Sequence, residues 1–344
     1  MSQLIRVGIL GTGFMAQTHG KRLASMEGVD IGGICDLTRE LGESLNQTLG
    51  TQAVAFDSFP AMLDEASLDA VYVCLPPYAH SGQVEAAAAR GLHVFLEKPI
   101  ALDVARGESM AAAVAKAGVV SQVGFHMRFR KSVQAFKELI DSGEAGTPTL
   151  FSGRFWCNML GNDWWRDREK SGGQVLEQVI HIYDLALHLL GPAATVSGFM
   201  DNLCHEGADD YTIEDTSVGT VRFVNGSMAS ITGSNCALPE HFISDYRVAC
   251  GKALLDYRTT GNWRDTDEAS VYRYGGKSDM EQTQFTEDSD PFLAESEDFI
   301  QAIRNGGSTK TPITDGLAAL KLVAAVVESA QNDGRAITLD PTSA

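Results

Sequence analysis

One predicted helix carries four polar residues on a face that is otherwise surrounded by apolar side chains. Glu177, His181, Asp184 and His188 follow the spacing i, i+4, i+7 and i+11 within residues 174–190, which places them on one helix face. Buried carboxylates and imidazoles need partners, and such groups cluster at active sites. Glu177 and His181 are therefore candidates for acid–base chemistry. A satisfied structural network is the alternative for all four residues. For Asp184 and His188, the structural and the functional interpretations are equally favoured.

A second reactive group follows the predicted strand at residues 93–97. Glu97, Lys98 and Pro99 lie at the carboxyl end of that strand, the edge where parallel α/β sheets bind ligands. In a partly desolvated cleft, Lys98 can donate a hydrogen bond to a substrate oxygen or exchange a proton with it. A surface ion pair between Glu97 and Lys98 is the alternative interpretation.

A glycine-rich turn follows the first predicted strand, residues 5–10. It reads Gly11-Thr12-Gly13-Phe14-Met15-Ala16, the pattern GxGxxA. Gly11 permits the tight turn, Gly13 lets the backbone approach a pyrophosphate, and small Ala16 allows close helix packing. The helix that begins here offers unpaired N–H groups and its positive dipole end to phosphate. We expect this segment, with Phe14 and Met15, to contact a dinucleotide.

An acidic residue, Asp36, ends the second predicted strand, residues 29–35. A carboxylate there accepts hydrogen bonds from both hydroxyls of an adenosine ribose and repels a 2′-phosphate. NAD is therefore favoured over NADP, although Arg39 nearby would partly offset the repulsion. Five further residues at this sheet edge are expected to line the cofactor site: Leu75, Pro76, His80, Glu97 and Lys98.

The pattern of elements changes along the chain. Residues 1–123 alternate strands and helices, which predicts an α/β, doubly wound, parallel Rossmann sheet that binds the dinucleotide. Residues 124–344 predict an α+β domain with an open, mostly antiparallel sheet, in which Asn225-Gly226 marks a hairpin. The family resemblance given below implies that this second domain binds substrate and forms the oligomer. Residues 203–210 and 275–291 are polar and rich in acids, so we expect them to be mobile.

Composition excludes several classes of function. The chain has 344 residues and a formal net charge of −18, so phosphate-backbone binding and attraction to anionic lipid are disfavoured. The six cysteines show no CxxC spacing, and we expect buried, reduced thiols and no metal site. Neither an export signal nor a membrane-spanning stretch is evident. We expect a cytoplasmic protein that binds neither nucleic acid nor membrane.

In these motifs the chain resembles the Gfo/Idh/MocA oxidoreductase family, that of glucose–fructose oxidoreductase, inositol dehydrogenase and related sugar dehydrogenases. The resemblance covers essentially the whole chain and rests on the following residues: Gly11-Thr12-Gly13, Asp36, Leu75-Pro76-Pro77, His80, Gly91, His93-Val94, Glu97-Lys98-Pro99, Gly124-Phe125, Arg128-Phe129, Trp165-Arg166, Gly172-Gly173, His181, Asp184 and Gly191. It implies a Rossmann domain followed by an α/β domain whose open sheet commonly forms the oligomer interface. A homo-oligomer, either dimer or tetramer, is expected.

The resemblance also assigns roles. Relatives carry a histidine at the position of His181, typically preceded four residues earlier by an aspartate. Here that residue is Glu177, which keeps the carboxylate and extends it by one methylene. Lys98 and His181 would form the proton-transfer pair, with Glu177 as the third catalytic residue.

Four more residues are expected near the cleft. The pair Trp165-Arg166 lies near the cofactor in relatives, although core or interface packing is the alternative for this aromatic loop. Asp163 and His126 complete the predicted substrate site with Lys98, Glu177 and His181.

The predicted function is an NAD-dependent dehydrogenase that transfers a hydride between a secondary hydroxyl of a sugar, polyol or cyclic polyol and nicotinamide. Two alternatives stay open. Some relatives retain NAD and cleave or eliminate at a glycoside through transient oxidation, which would make the protein a hydrolase or lyase. The other alternative is a non-enzymatic sensor of nicotinamide cofactors.

Overall fold

The chain forms two compact units, which a computed structural model describes for residues 4–158, 160, 162–239, 241–259, 267–276 and 279–340. Unit 1 comprises residues 1–126 and 290–317, and unit 2 comprises residues 127–289 and 318–344. The chain thus returns to unit 1 at residue 290. The prediction had one boundary, after residue 123, and did not contain this return.

Unit 1 is built on a six-stranded, fully parallel sheet with the strand order β3-β2-β1-β4-β5-β6. Its strands are β1 (Ile5–Leu10), β2 (Val29–Cys35), β3 (Val54–Phe56), β4 (Ala70–Val73), β5 (His93–Leu96) and β6 (Ser121–Val123). Its helices in the first segment are α1 (Phe14–Ser25), α2 (Arg39–Leu49), α3 (Phe59–Glu65), α4 (Gln83–Ala88) and α5 (Val104–Ala117). The central strands β1 and β4 are buried except at Arg6, as expected when helices cover both faces. This order is that of a Rossmann sheet, so the predicted fold is confirmed.

Unit 2 is built on a nine-stranded mixed sheet with the order β14-β13-β12-β11-β7-β10-β9-β8-β15. Its strands are β7 (Pro148–Trp156), β8 (Ala193–Asp201), β9 (Thr216–Phe223), β10 (Met228–Ser234), β11 (Tyr246–Cys250), β12 (Ala253–Arg258), β13 (Asp267–Gly276), β14 (Asp279–Glu287) and β15 (Ile337–Thr338). The first helices of unit 2 are α6 (Lys131–Asp141), α7 (Asp163–Arg166), α8 (Arg168–Ser171) and α9 (Ile180–Leu190). Two helices follow the sheet: α10 (Pro291–Asn305) belongs to unit 1, and α11 (Ile313–Gln331) begins in unit 1 and continues in unit 2. Only the β7–β10 pair is parallel among the described pairings. The predicted mostly antiparallel sheet is confirmed.

One edge of the unit 2 sheet differs from expectation. Much of the segment 275–291, expected to be mobile, is the edge strand β14, which pairs with β13; residues 277 and 278 lie outside the described part. Nearly all β14 side chains are exposed, so the strand lacks the apolar alternation that predicts a half-buried strand.

The helix predicted at residues 174–190 is not a uniform α-helix. Residues Val175–Val179 are π-helical, and α9 follows directly. Single π turns insert one extra residue, frequently at functional sites, and apolar periodicity does not detect them. The expected burial on nearly all sides is confirmed, since all of Val175–Val179 and most of α9 are buried. No helix of the described residues is long and apolar enough to cross a membrane.

Candidate functional site

The glycine-rich turn of unit 1 leaves room for a phosphate. Gly11 has φ +98°, and a Cβ there would lie 2.5 Å from the carbonyl oxygen of Cys74, so only glycine fits. A Cβ on Gly13 would meet no atom within 4 Å, and no side chain caps the N-terminus of α1. The first N–H groups of α1 therefore face open space, as pyrophosphate binding requires.

The acidic residue at the end of β2 is fixed in place. Asp36 accepts hydrogen bonds from Thr12 Oγ1 at 2.6 Å and from the N–H of Leu37 at 2.7 Å. Arg39, which could offset its charge, has its Nε 3.4 Å from Oδ2 of Asp57, in an exposed pair. An anchored carboxylate beside an engaged arginine fits the ribose of NAD better than the 2′-phosphate of NADP.

The other predicted cofactor contacts lie on loops at the same edge of the parallel sheet. Leu75 and Pro76 are half-buried after β4, whereas Phe14 is 72% exposed at the start of α1, and Met15 is half-buried. His80 is buried, and its Nδ1 lies 2.7 Å from the carbonyl oxygen of Ile100. Burial lowers the pKa of His80, so it is a neutral anchor that joins this loop to the segment after Lys98.

Glu97 supports Lys98 from within the core of unit 1. Its carboxylate is buried, with Oε1 2.6 Å from His19 Nε2, and Oε2 accepts the Lys98 N–H at 3.2 Å. A Cβ at Gly124 would approach this carboxylate to 2.8 Å, so the glycine makes room for it. Lys98 itself is half-buried. The alternative of a surface ion pair does not describe Glu97, whose buried side chain fixes the backbone at Lys98.

A third ionisable group lies behind this pair. Glu295 of α10 is fully buried, its Oε1 is 4.0 Å from His19 Nε2, and neither carboxyl oxygen has a hydrogen-bond partner among the described residues. Burial, together with the negative charge of Glu97, raises the pKa of Glu295 well above its ordinary value. The buried site therefore favours the protonated form of Glu295. His126, predicted to bind substrate, stacks its ring on Phe292 at 4.3 Å in the same unit.

This buried acid makes a prediction about stability. Because the folded pKa of Glu295 is raised, folding must protonate it once the unfolded side chain ionises above pH ~4.3. The associated stability is present below that pH and is lost as pH rises, by up to about 1.4 kcal/mol per pH unit. Glu295→Gln removes this titration. The melting temperature of the variant minus that of the parent should therefore be larger at pH 8 than at pH 6.

The matched control is Glu297→Gln, on the exposed side of the same helix. Thermal unfolding of both variants at the two pH values checks the prediction. An equal response of the two glutamines to pH would contradict a protonated Glu295.

Unit 2 contains the other two predicted catalytic residues. Glu177 lies in the π-helical segment and is 7% exposed, and His181 is the second residue of α9 and is 5% exposed. The His181 ring packs nearly parallel to Phe155, with 6.5 Å between centroids. Asp184 is fully buried and binds Arg128 through two contacts, at 2.8 and 2.5 Å, so the structural interpretation holds for Asp184.

A small, partly open pocket borders Glu177, and we call it the unit 2 cavity. It is lined by Trp165, Arg166, Gln174, Glu177, Gln178, Ile213 and Asn235. Arg166 binds Asp163 at 2.7 Å and Asp210 at 2.9 Å through Nη2. Trp165 and Arg166 thus lie beside a predicted catalytic carboxylate, whereas the side chain of Asp163 is 95% exposed and reaches the cavity through its ion pair with Arg166.

Three amide residues of this cavity were not predicted. Gln174 Nε2 donates to Gln178 Oε1 at 3.2 Å, and Cys157 Sγ lies 3.3 Å from Gln178 Oε1 and 3.2 Å from Asn235 Oδ1. Gln174 and Gln178 are four residues apart on the helix that carries Glu177, and this spacing in the sequence places them on one helix face. Asn235 follows β10, and no sequence signal connects it to them.

The loop between β8 and β9 contributes Ile213 to the cavity lining and is anchored by two buried acids. Asp215 accepts the N–H groups of residues 203–205, at 3.0, 2.7 and 3.2 Å. Glu214 accepts the N–H of Val175 at 2.7 Å and binds Arg168 at 2.5 Å. The carboxylates therefore hold the ends of the segment that contributes Asp210 and Ile213.

Comparison with known proteins places the chain in a family. The sequence profile of the Gfo/Idh/MocA oxidoreductase family, described as an NAD-binding Rossmann fold, matches residues 5–125, and the family's C-terminal domain matches residues 133–255. The chain belongs to the Gfo/Idh/MocA family. Within this family it is 27% identical over 345 residues to scyllo-inositol 2-dehydrogenase (NAD(+)) of Bacillus subtilis (strain 168), covering 99% of this chain and 98% of that protein.

One further curated relative and one solved structure are also similar to this chain. The Gfo/Idh/MocA chain is 30% identical over 250 residues to 2,7-anhydro-N-acetylneuraminate hydratase of Escherichia coli (strain K12), covering 70% of this chain and 64% of that protein. It superposes on levoglucosan dehydrogenase in complex with NADH and levoglucosan with a TM-score of 0.89, at 20% identity over 98% of this chain and 99% of that one. That likeness establishes the shared fold.

Proposed function

We propose that this protein is an NAD-dependent dehydrogenase that oxidises a secondary hydroxyl of a sugar, polyol or cyclic polyol. The observation that carries the proposal is the composition of one edge of the unit 1 sheet. An uncapped helix start, an anchored Asp36 and a supported Lys98 follow strands β1, β2 and β5 there. The inositol dehydrogenase relative of nearly equal length supports a polyol substrate.

The proposed mechanism assigns one task to each residue. NAD⁺, when bound, supplies the hydride acceptor. His181, as a neutral imidazole, removes the hydroxyl proton, and the Lys98 ammonium stabilises the negative charge that develops on that oxygen. Glu177 orients His181 or holds a neighbouring hydroxyl. Positioning and this electrostatic stabilisation provide most of the rate enhancement.

We also propose a cytoplasmic location and a homo-oligomeric state. All six cysteines are free thiols, which suits a reducing compartment. The sheet of unit 2 exposes apolar side chains in neighbouring pairs: Leu150 beside Met228, and Phe199 beside Val218. Exposed apolar patches of this kind mark protein interfaces, which supports association of copies through this sheet.

The test is a screen of neutral polyols and aldoses for NADH formation, run in parallel with NAD⁺ and NADP⁺. We expect net NADH from at least one member, with NAD⁺ strongly preferred. Activity with NADP⁺ alone would contradict the role of Asp36. Tightly retained NAD without net NADH during turnover of a glycoside would instead favour the hydrolase or lyase alternative.

A further inference from the structure

Two cysteines and one aspartate of unit 2 meet at one end of the nine-stranded sheet. Cys204 lies shortly after β8, Asp215 directly precedes β9, and Cys236 lies shortly after β10. Strands β8, β9 and β10 are neighbours in the sheet, so these three strand ends come together. The two thiol sulfurs and one carboxylate oxygen all lie within 4.8 Å of one another. None of these side chains has a task in the proposed mechanism.

The two thiols contact each other directly. Cys204 and Cys236 are hydrogen-bonded through their side chains, and this contact is the largest reason that the pKa of Cys204 is raised, to about 11. Cys204 is exposed and Cys236 is half-buried. A small ion from solution can therefore reach the sulfurs without a rearrangement of the fold.

The carboxylate of Asp215 is fixed beside the sulfurs. It is fully buried, and it accepts the N–H groups of residues 203–205. The hydroxyl of Thr216 lies 3.0 Å from Asp215 Oδ1 and 3.7 Å from Cys236 Sγ. If this hydroxyl turns its hydrogen to the sulfur, Oδ1 keeps one N–H donor and has a lone pair for a cation. Among the described residues, no lysine or arginine pairs with Asp215.

The three groups form a ligand set for a borderline-soft divalent cation such as Zn²⁺. In a tetrahedral site with Zn–S bonds of about 2.3 Å, neighbouring ligand atoms are ~3.8 Å apart. Atoms that lie within 4.8 Å of one another therefore need to move by only about 1 Å. Thiolates select zinc and other thiophilic metals over Mg²⁺ and Ca²⁺. The exposed side of the cluster admits a water as the fourth ligand.

We infer that Cys204, Asp215 and Cys236 form a binding site for one thiophilic divalent cation of the Zn²⁺ class. The cation joins the loop between β8 and β9 to the end of β10, and this loop carries Asp210, the partner of Arg166. Its role is to stabilise the loop, and it takes no part in hydride transfer. Both thiols lose their protons on binding, so the affinity falls toward acidic pH.

This site was not predicted from the sequence. Cys204 and Cys236 are separated by two strands, β9 and β10, and their spacing matches no zinc motif. The sequence analysis therefore predicted no metal site. The contact between the cysteines arises from the pairing of neighbouring strands.

A disulfide between the same two cysteines is the competing interpretation. It would use both sulfurs, but the carboxylate beside them would have no part in it. The raised pKa keeps Cys204 largely protonated at neutral pH, whereas the thiolate is the nucleophile that forms a disulfide. The convergence of a third ligand atom on the sulfurs favours a cation.

The first arm of the test titrates the full, tag-free, reduced chain with Co²⁺, a spectroscopic substitute for Zn²⁺. We expect saturation at one equivalent, with absorption from sulfur-to-cobalt charge transfer that disappears when Zn²⁺ is added. Cys204→Ser and Cys236→Ser should each weaken binding by at least ~10-fold and reduce this absorption. The matched control is Cys250→Ala, which removes a thiol outside the cluster and should bind Co²⁺ as the parent does.

The second arm tests the carboxylate and the loop. Asp215→Asn keeps both sulfurs, so it should weaken Co²⁺ binding by at least ~10-fold and retain the charge-transfer absorption at saturation. One equivalent of Zn²⁺ should raise the melting temperature of the parent and of Cys250→Ala, because binding to the folded state stabilises it. It should leave that of Cys204→Ser, an exposed substitution, unchanged.

The outcomes decide between the interpretations. Co²⁺ binding without charge-transfer absorption, or equal affinities of the parent and both serine variants, would overturn the site. A Cys204–Cys236 disulfide, found by mass spectrometry after thiols are alkylated before lysis, would overturn it in favour of a redox pair. An unchanged affinity of Asp215→Asn would overturn the role of the carboxylate. The polyol screen tests the dehydrogenase proposal separately, so either proposal can fail without the other.

Discussion

Replacing Lys98 with alanine should lower kcat/KM by about a thousandfold or more while NAD⁺ affinity changes by no more than a few-fold. The reason is positional: Lys98 follows β5, and the buried Glu97 carboxylate accepts its N–H at 3.2 Å. Removal of a positioned donor to a developing oxyanion typically costs 10²–10³-fold, and the loss of a proton-transfer partner adds to it. Steady-state kinetics on the best substrate, with NAD⁺ titration by fluorescence, measures both quantities.

Lys116→Ala is the matched control for this change, since Lys116 is exposed at the end of α5 in the same unit. It should retain full turnover. A Lys98→Ala variant that keeps near-native turnover on the true substrate would show that the mechanism is wrong. A variant that loses NAD⁺ affinity to the same extent as turnover would assign Lys98 to cofactor binding alone.

Replacing His181 with asparagine should lower kcat by about 10²–10⁴-fold, the usual contribution of a positioned general base. Asparagine keeps a polar side chain of similar size in this buried position but cannot accept the proton. The decline of kcat/KM toward acidic pH, which reports the free base in the parent, should disappear, and the residual rate should rise with pH as hydroxide replaces the base. A pH–rate profile with thermal unfolding at each pH measures the effect.

His188→Asn provides the comparison on the same helix, since His188 is half-buried about two turns further along. This variant should keep both the kcat of the parent and the decline of kcat/KM toward acidic pH. If His181→Asn loses rate but keeps the parent's acid limb, the base is another group and His181 has only a structural role.

The Rossmann sheet could be predicted because its determinants are local. The strands Ile5–Leu10 and Val29–Cys35 are apolar runs that end at Gly11 and Asp36, and the structure has them with the predicted bounds. The edge strand β14 escaped prediction, since nearly all of its side chains are exposed and it is held by backbone pairing to β13. The π-helical turn at 175–179 escaped as well, because one inserted residue leaves the apolar pattern almost unchanged.

The site divides in the same way. Lys98, Glu177 and His181 were identified by their place in a strand end or a helix face. The support of Glu97 by His19 joins residues 78 apart in the chain, and Glu295 reaches the same cluster from α10. Such contacts depend on tertiary packing, which single-sequence periodicity does not encode. His19 is nevertheless the one imidazole among the buried residues of α1.

Transfer of deuterium from substrate to cofactor tests the central claim most directly. The best neutral substrate, labelled with deuterium on the carbon that bears the reacting hydroxyl, is oxidised with unlabelled NAD⁺, and the NADH is analysed by mass spectrometry and NMR. We predict one deuterium per NADH, at C4 of the nicotinamide, in equal amount to the ketone formed. NADH without deuterium, or product formed while NAD stays bound and no net NADH accumulates, would contradict the account.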